Sequence, residues 1–247
     1  MNDIYNEIKR DIDATIRKYM GCQLIINPRF NQEKHATFSK ISSNKNTEFD
    51  TKISYVKNFF RCYDEGDYLF QLFDNSFIQV NYEFIVPTGQ NQKVVNKANL
   101  SYYPNPGLYS YEAISAIQEI DDEEEREEYF AYHQEYKQDF QYASNYIRLD
   151  YDGHPSSFTE YVHPRCHIHI GLHNNFRLGV NKLPLLSDFI DFVLYVNYIE
   201  EWKKLHCEEE DDLNSFLTTL INTKKSLEMT EYPLLTENEL KHYLLSL

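Results

Sequence analysis

The sequence predicts an α+β protein, an antiparallel β-sheet with helices packed on one face. Three observations carry that reading. Isoleucines recur four apart at Ile4, Ile8, Ile12 and Ile16, the spacing of one buried helical face. The middle of the chain changes to a period of two, most clearly in Ile78-Gln-Val-Asn-Tyr-Glu-Phe-Ile-Val86. Apolar residues return to helical spacing further on, at Phe189, Ile190, Val193, Val196 and Trp202. Helices flanking a meander of strands bury their stripes most simply by lying together on one side of the sheet.

Taken in order, the first helix covers residues 3–20 and stops near Gly21. Residues 36–103 form the sheet region. Within it, Asp74-Asn75-Ser76 turns Tyr68–Phe73 into the strand Ile78–Val86, and Pro87–Gln92 turns that strand into Lys93–Tyr103. Residues 110–141 read as a helix with Tyr129, Tyr132, Tyr136 and Phe140 as its apolar stripe and the acidic run Asp121–Glu128 as a solvated face. A histidine-rich hairpin occupies residues 145–173, and helices fill 184–247. Among these, Leu183-Pro-Leu-Leu-Ser-Asp188 opens the helix that carries Phe189 to Trp202. Glu208–Asp212 is a loop before a helix from Leu213 to about Ile221. Thr236-Glu-Asn-Glu239 has the form of a capping box, starting a last helix with Leu240, Leu244 and Leu247 inward. With no repeat, low-complexity tract or Gly/Pro linker, residues 1–247 read as a single domain.

Composition narrows the function. Aromatic residues make up 15% of the 247, with 21 Tyr and 16 Phe, so the core is aromatic and many phenol hydroxyls need partners. A net charge of −15 repels nucleic acid and anionic membranes at long range, which argues against a general nucleic-acid coat protein. The acidity is uneven. Residues 145–185 carry four Arg and Lys against three Asp and Glu, together with five histidines. Cys22, Cys62, Cys166 and Cys207 form no C-x-x-C pair, so a zinc knuckle or thioredoxin-like motif is not expected. Neither a leader-like N-terminus nor a long apolar run is visible, and the expectation is a cytoplasmic protein with reduced thiols and no membrane partner.

The chemistry concentrates in Tyr146-Ile-Arg-Leu-Asp-Tyr-Asp-Gly-His-Pro155 and His163-Pro-Arg-Cys-His-Ile-His-Ile-Gly-Leu-His173. If both ends are strands, Ile147, Leu149 and Tyr151 point one way and Arg148, Asp150 and Asp152 the other. The partner strand puts Cys166, Ile168, Ile170 and Leu172 inward and Arg165, His167, His169 and His173 outward. Pairing the two on a shared core joins their polar sides into one surface.

Histidines two apart on a strand sit roughly 6.5–7 Å apart, so both can reach one small group. In the leading chemistry His167 and His169 are acid and base at a phosphodiester, Asp150 orients an imidazole, and Arg148 and Arg165 hold the phosphate. His154, His163 and His173 extend the substrate-binding surface, and Arg177 and Lys182 could lengthen its positive rim. No cofactor is required in that scheme. In a second chemistry His167 and His169 bind a divalent metal together with Asp152, His154 or His163. A third, a histidine nucleophile of the histidine-triad kind, is weakened because Gly171 stands where the third histidine would be. The competing structural reading is a hydrogen-bonded polar network that stabilises the sheet. His133, His206 and His242 are isolated on predicted helices and read as surface or structural residues, and His35 is uninformative.

The segments Ser101-Tyr-Tyr-Pro-Asn-Pro106, Tyr146-Ile-Arg-Leu-Asp150, His163-Pro-Arg-Cys-His-Ile-His-Ile-Gly171 and the Leu183-Pro…Asp188-Phe-Ile-Asp-Phe192 helix start resemble the bacterial domain-of-unknown-function family 2290. Separately, the order Arg148, Asp150, His154-Pro155, His163-Pro164, His167, His169 is similar to that in small bacterial toxins of toxin–antitoxin pairs. The second likeness implies a toxic or antiviral effector acting on RNA or nucleotides. The alternative is a non-catalytic nucleotide- or protein-binding regulatory subunit of a defence complex, in which the acidic helix engages a basic protein partner.

Overall fold

The computed structural model describes residues 4–28, 40–43, 55–106, 122–128, 145–172, 174, 176–206, 230 and 233–242. In chain order the elements are α1 (Ile4–Gly21), β1 (Ile25–Ile26), β2 (Lys40–Ser42), α2 (Tyr55–Glu65), β3 (Phe70–Leu72), β4 (Phe77–Ile85), β5 (Val94–Tyr103), β6 (Ile147–Asp152), β7 (Cys166–Ile170), β8 (Leu178–Gly179), α3 (Leu186–Asn197), α4 (Ile199–His206) and α5 (Glu237–His242). The strands form one eight-stranded sheet in the order β1-β3-β4-β5-β6-β7-β8, with β2 also paired to β4. Every strand pair is antiparallel. The fold is therefore α+β, as the alternation of periods predicts.

Strict alternation sorts each central strand onto two faces. One face carries Ile78, Val80, Tyr82, Leu100, Tyr102, Ile147, Leu149, Tyr151, Cys166 and Ile168, all buried with the apolar stripes of α1 and α3 and with Trp202 of α4. The four-residue isoleucine spacing does what it implied, since Ile4, Ile8, Ile12 and Ile16 are all buried. Asp11 of α1 accepts the Ser187 backbone N–H at 3.1 Å and its hydroxyl at 2.6 Å, satisfying a donor in the first turn of α3. The predicted long helix from residue 186 is broken at Tyr198, whose φ of −138° is not helical. Its hydroxyl donates to Asp74 at 2.6 Å and meets that of Tyr102 at 2.7 Å. Val196, still within α3, is 46% exposed, while Trp202 is fully buried from the next helix.

The opposite face is divided. At one end α2 covers it with Tyr55, Phe59, Phe60 and Tyr63, which pack with Tyr68, Phe77, Tyr103 and Tyr146. The Phe77 and Tyr103 rings, paired across β4 and β5, stack at 4.7 Å. The sequence reading placed residues 36–103 entirely in the sheet region and missed this helix. Its apolar residues Tyr55, Val56, Phe59, Phe60, Cys62 and Tyr63 recur at three and four, but four of the six are aromatic and the segment sits between stretches of period two. The helices thus lie chiefly on one face, with α2 added on the other.

Only residues 122–128 of the predicted acidic helix fall among those described. All but the half-buried Arg126 are exposed, 123–128 are helical, and Asp122 accepts the backbone N–H groups of Glu124 and Glu125. The expected stripe from Tyr129 to Phe140, the loop Glu208–Asp212, the helix Leu213–Ile221, and Leu244, Leu247, His35 and His133 lie outside the described residues, as does the side chain of His242. The capping box forms as expected, with Thr236 Oγ1 accepting from Glu239 N and Glu239 Oε2 accepting from Thr236 N. Glu239 is fully buried, and this turns the next residue, Leu240, outward to 51% exposure instead of inward.

Candidate functional site

The end of the second face that no described element covers is a lattice of polar side chains fixed by register. Along one row Asn81, Asn99, Asp150, His167 and Gly179 stand opposite one another on β4, β5, β6, β7 and β8. The next row is Gln79, Ser101, Arg148 and His169, and a third is Glu83, Lys97 and Asp152. Gly179 adds no side chain beside His167. Together with His163 and Arg177, residues of these rows line an open cleft of about 280 Å³.

Asp150 is the hub. Its Oδ2 accepts Arg148 Nε at 2.7 Å and lies 3.4 Å from His169 Nε2 and 3.9 Å from His167 Nε2. Its Oδ1 accepts Asn99 Nδ2 at 2.6 Å, and Asn99 in turn accepts the Ser101 hydroxyl at 3.0 Å. Burial alone would raise this carboxyl. The hydrogen bond to His169, the charge of Arg148 and the hydrogen bond from Asn99 outweigh it and hold the carboxyl below its ordinary value.

His167 and His169 are both buried, and their Nε2 atoms are 3.0 Å apart. The Pro164 carbonyl lies 2.8 Å from His167 Nδ1 and can only accept, so Nδ1 carries the proton and Nε2 presents a lone pair to His169. Burial pushes the His167 imidazole from 6.5 down to about 4, against the opposing pull of Asp150, so it is neutral at pH 7. His163 packs edge-on against His167 at 4.9 Å and is delivered by a tight loop in which Thr159 and His163 pair. At the tip of that loop Tyr161 has φ +64°, a strained value for a tyrosine, and its N–H donates to buried Glu239 at 3.0 Å. The last helix thereby clamps the loop that carries His163.

Of the residues singled out in the sequence, the fold brings Arg148, Asp150, Asp152, His163, His167 and His169 to one cleft. Others are elsewhere. Arg165, expected to bind phosphate, donates to the Pro233 carbonyl at 2.9 Å and lies over the Phe158 ring at 4.4 Å, outside the cleft lining. His154, expected to support the substrate, caps the short 3-10 turn Pro155–Ser157, with Nδ1 2.7 Å from the Ser156 hydroxyl. Asp152 lines the cleft, but its carboxylate accepts from His154 N and Ser157 Oγ and pairs with Lys97 at 3.4 Å. Among the described residues the metal-competent trio is Asp150, His167 and His169, not the set built on Asp152. His173 lies outside the described residues. Leu172 was expected in line with Ile168, but Gly171 at φ +84° ends the alternation and Leu172 packs toward the α2 aromatic cluster. Ile170 at the strand end is 39% exposed. His206, read as structural, pairs with Asp191 at 2.7 Å on the helical side of the sheet.

Sequence reasoning missed Asn81, Lys97 and Asn99. The signal was present, since all three are polar positions of strands already recognised by period two, but nothing in the sequence announces that β5 adjoins β6 across the long connection.

A model of the family described as an uncharacterized conserved protein, DUF2290, matches residues 24–241, most of the chain and all of the cleft. The chain belongs to the DUF2290 family. No curated protein and no solved structure matches it. Among the described residues of this DUF2290 protein, no helix is long and apolar enough to cross a membrane.

Proposed function

We propose that this DUF2290 protein cleaves phosphate esters, with RNA or a nucleotide as substrate, in the cleft on the second face of its sheet. The observation that carries the reading is a local reversal of charge. The cleft lining holds Lys97, Arg148 and Arg177 against two carboxylates, whereas the chain as a whole carries −15. A cationic concavity on an acidic protein suits a small or single-stranded phosphate ligand better than an extended duplex. Arg148 lines the cleft with Nε held by Asp150 and a further hydrogen bond to the Tyr146 side chain, so its guanidinium is fixed in place to meet a phosphate. The reacting centre in this reading is Asp150 with His167 and His169. The separation of 3.0 Å between the imidazole nitrogens supports action from one side of the phosphorus, not an acid and a base on opposite sides of it.

The test is incubation of the purified protein with total cellular RNA and with nucleoside triphosphates, beside a His167→Asn/His169→Asn variant of verified fold. Loss of turnover in the variant is expected, and equal turnover in both proteins would remove the assignment. The effector setting suggested by the toxin-like motif order predicts growth arrest when the wild-type gene, but not the variant, is induced. The net charge of −15 favours a second reading, a non-catalytic nucleotide- or protein-binding subunit. Saturable nucleotide binding with no turnover would select it.

A further inference from the structure

We infer that Asp150 Oδ2, His167 Nε2 and His169 Nε2 together bind one divalent transition-metal ion of the zinc class. The inference deepens the proposed function by naming a cofactor. It rests on that reading for the ion's chemical role and on geometry alone for its binding.

The geometry is quantitative. The three atoms are separated by 3.0, 3.4 and 3.9 Å. A triangle with those sides has a circumscribed radius of about 2.0 Å, so the point equidistant from all three donors lies at the Zn–N and Zn–O distance of about 2.0–2.2 Å. A small outward shift of an ion from that plane gives the pyramidal arrangement that leaves room for water or substrate. The set of two imidazoles and one carboxylate on adjacent strands is also the one used by open metal sites that do chemistry.

The surroundings supply what such ligands need. Two of the three ligands have a supporting partner in place, with His167 Nδ1–H held by the Pro164 carbonyl and Asp150 held by Arg148 and Asn99. His167 already presents an unprotonated Nε2 toward the cluster. Arg148 opposes a cation, but it occupies one lone pair of Oδ2 and leaves the other for the ion, with the carboxylate charge between them. A purely structural pair of buried histidines would more simply direct each ring to a separate carbonyl or hydroxyl. Here both Nε2 atoms lie within 3.9 Å of one carboxylate oxygen and 3.0 Å of each other. The nitrogen donors select zinc, cobalt or nickel over magnesium, calcium or manganese.

When bound, the ion would polarise a phosphate oxygen or lower the pKa of a water molecule. The experiment uses the full chain with its affinity tag removed, stripped with EDTA and desalted. Zn2+ is titrated by calorimetry and Co2+ by visible absorption. One equivalent is expected to bind, with Co2+ bands of low-symmetry nitrogen–oxygen coordination. Asp150→Asn and His169→Asn, each checked for fold by circular dichroism, should weaken binding by at least about a hundredfold, the upper end of what losing even a supporting partner costs. Asp152→Asn should keep affinity within a fewfold. Folded wild-type protein without saturable binding overturns the inference, as does unchanged affinity in both the Asp150 and His169 variants. RNA cleavage that persists in EDTA by a protein that binds no metal would refute the ion alone. One tightly bound equivalent with no turnover would refute the cleavage reading alone.

Discussion

Acidifying the metal-free protein should destabilise it through His167 by a predictable amount. In the folded state burial depresses this imidazole from 6.5 to about 4. A group whose folded pKa lies below its unfolded value contributes stability that is present above the unfolded value and lost as pH falls toward the folded one. The loss begins near pH 6.5 and is complete below about 4. Between these limits the unfolded chain takes up a proton that the native state refuses, which amounts to about 2 kcal/mol between pH 7 and pH 5 and about 3 kcal/mol by pH 4. Asp150, also lowered, acts in the same direction at lower pH. The assay is urea unfolding in EDTA at pH 7 and pH 5 for wild type and His167→Gln, which does not titrate. The wild type should lose about 2 kcal/mol more than the variant over that interval. Equal losses would refute the claim that His167 is held neutral by burial, and a smaller loss in the wild type would reverse its sign.

Other consequences can be checked separately. Arg177 lines the cleft, so Arg177→Ala should raise KM for an RNA or nucleotide substrate roughly tenfold with a smaller change in kcat, as steady-state kinetics would report. A methyl group on Gly153 would sit 2.9 Å from the buried Tyr151 hydroxyl and 3.1 Å from the Asn96 carbonyl, so Gly153→Ala should cost about 1–3 kcal/mol in urea unfolding. Thr236→Ala removes one half of the capping box and should cost about 1 kcal/mol, with faster proteolysis near Tyr161 as the loop clamp loosens. Burial pushes the Cys62 thiol up to about 12 and the Cys166 thiol higher still, whereas Cys22 is exposed. Brief alkylation of the native protein followed by peptide mass mapping should therefore mark Cys22 and spare Cys62 and Cys166.

Periodicity was a good guide wherever one physical rule acted alone. The isoleucines of α1 and the alternation of β4 to β7 place their side chains where the spacing says, because a single buried face sets each pattern. α2 was hidden for the opposite reason. Its aromatic residues serve a separate small core on the far side of the sheet, and they are flanked by strands whose period dominates the region. At the site, Arg148, Asp150, His167 and His169 share a surface because a hairpin needs only local pairing. Arg165 and His154 could not be placed in this way. The backbone around them is a loop and a 3-10 turn, and alternation carries no information there. Lys97, Asn99 and Asn81 enter through the β4 to β6 order, a long-range fact of topology that no local pattern encodes. The choice of Asp150 over Asp152 as the hub depends on two residues of strand length. Asp152 lies at the end of β6, where the turn to His154 and Ser157 engages its oxygens.

The register that builds the cleft also makes its survival a question of parity. Leu149 and Ile168 face the helices from the same strands on which Asp150 and His167 face the cleft. Adding one residue within β6 or β7 would exchange the two sets beyond the insertion, driving carboxylate and imidazoles into the apolar core. Adding two would restore the facing and displace the donors along the strand instead. Along these strands, drift in length is therefore tolerable only in even steps, and the connection between residues 153 and 165 is where odd changes can be absorbed.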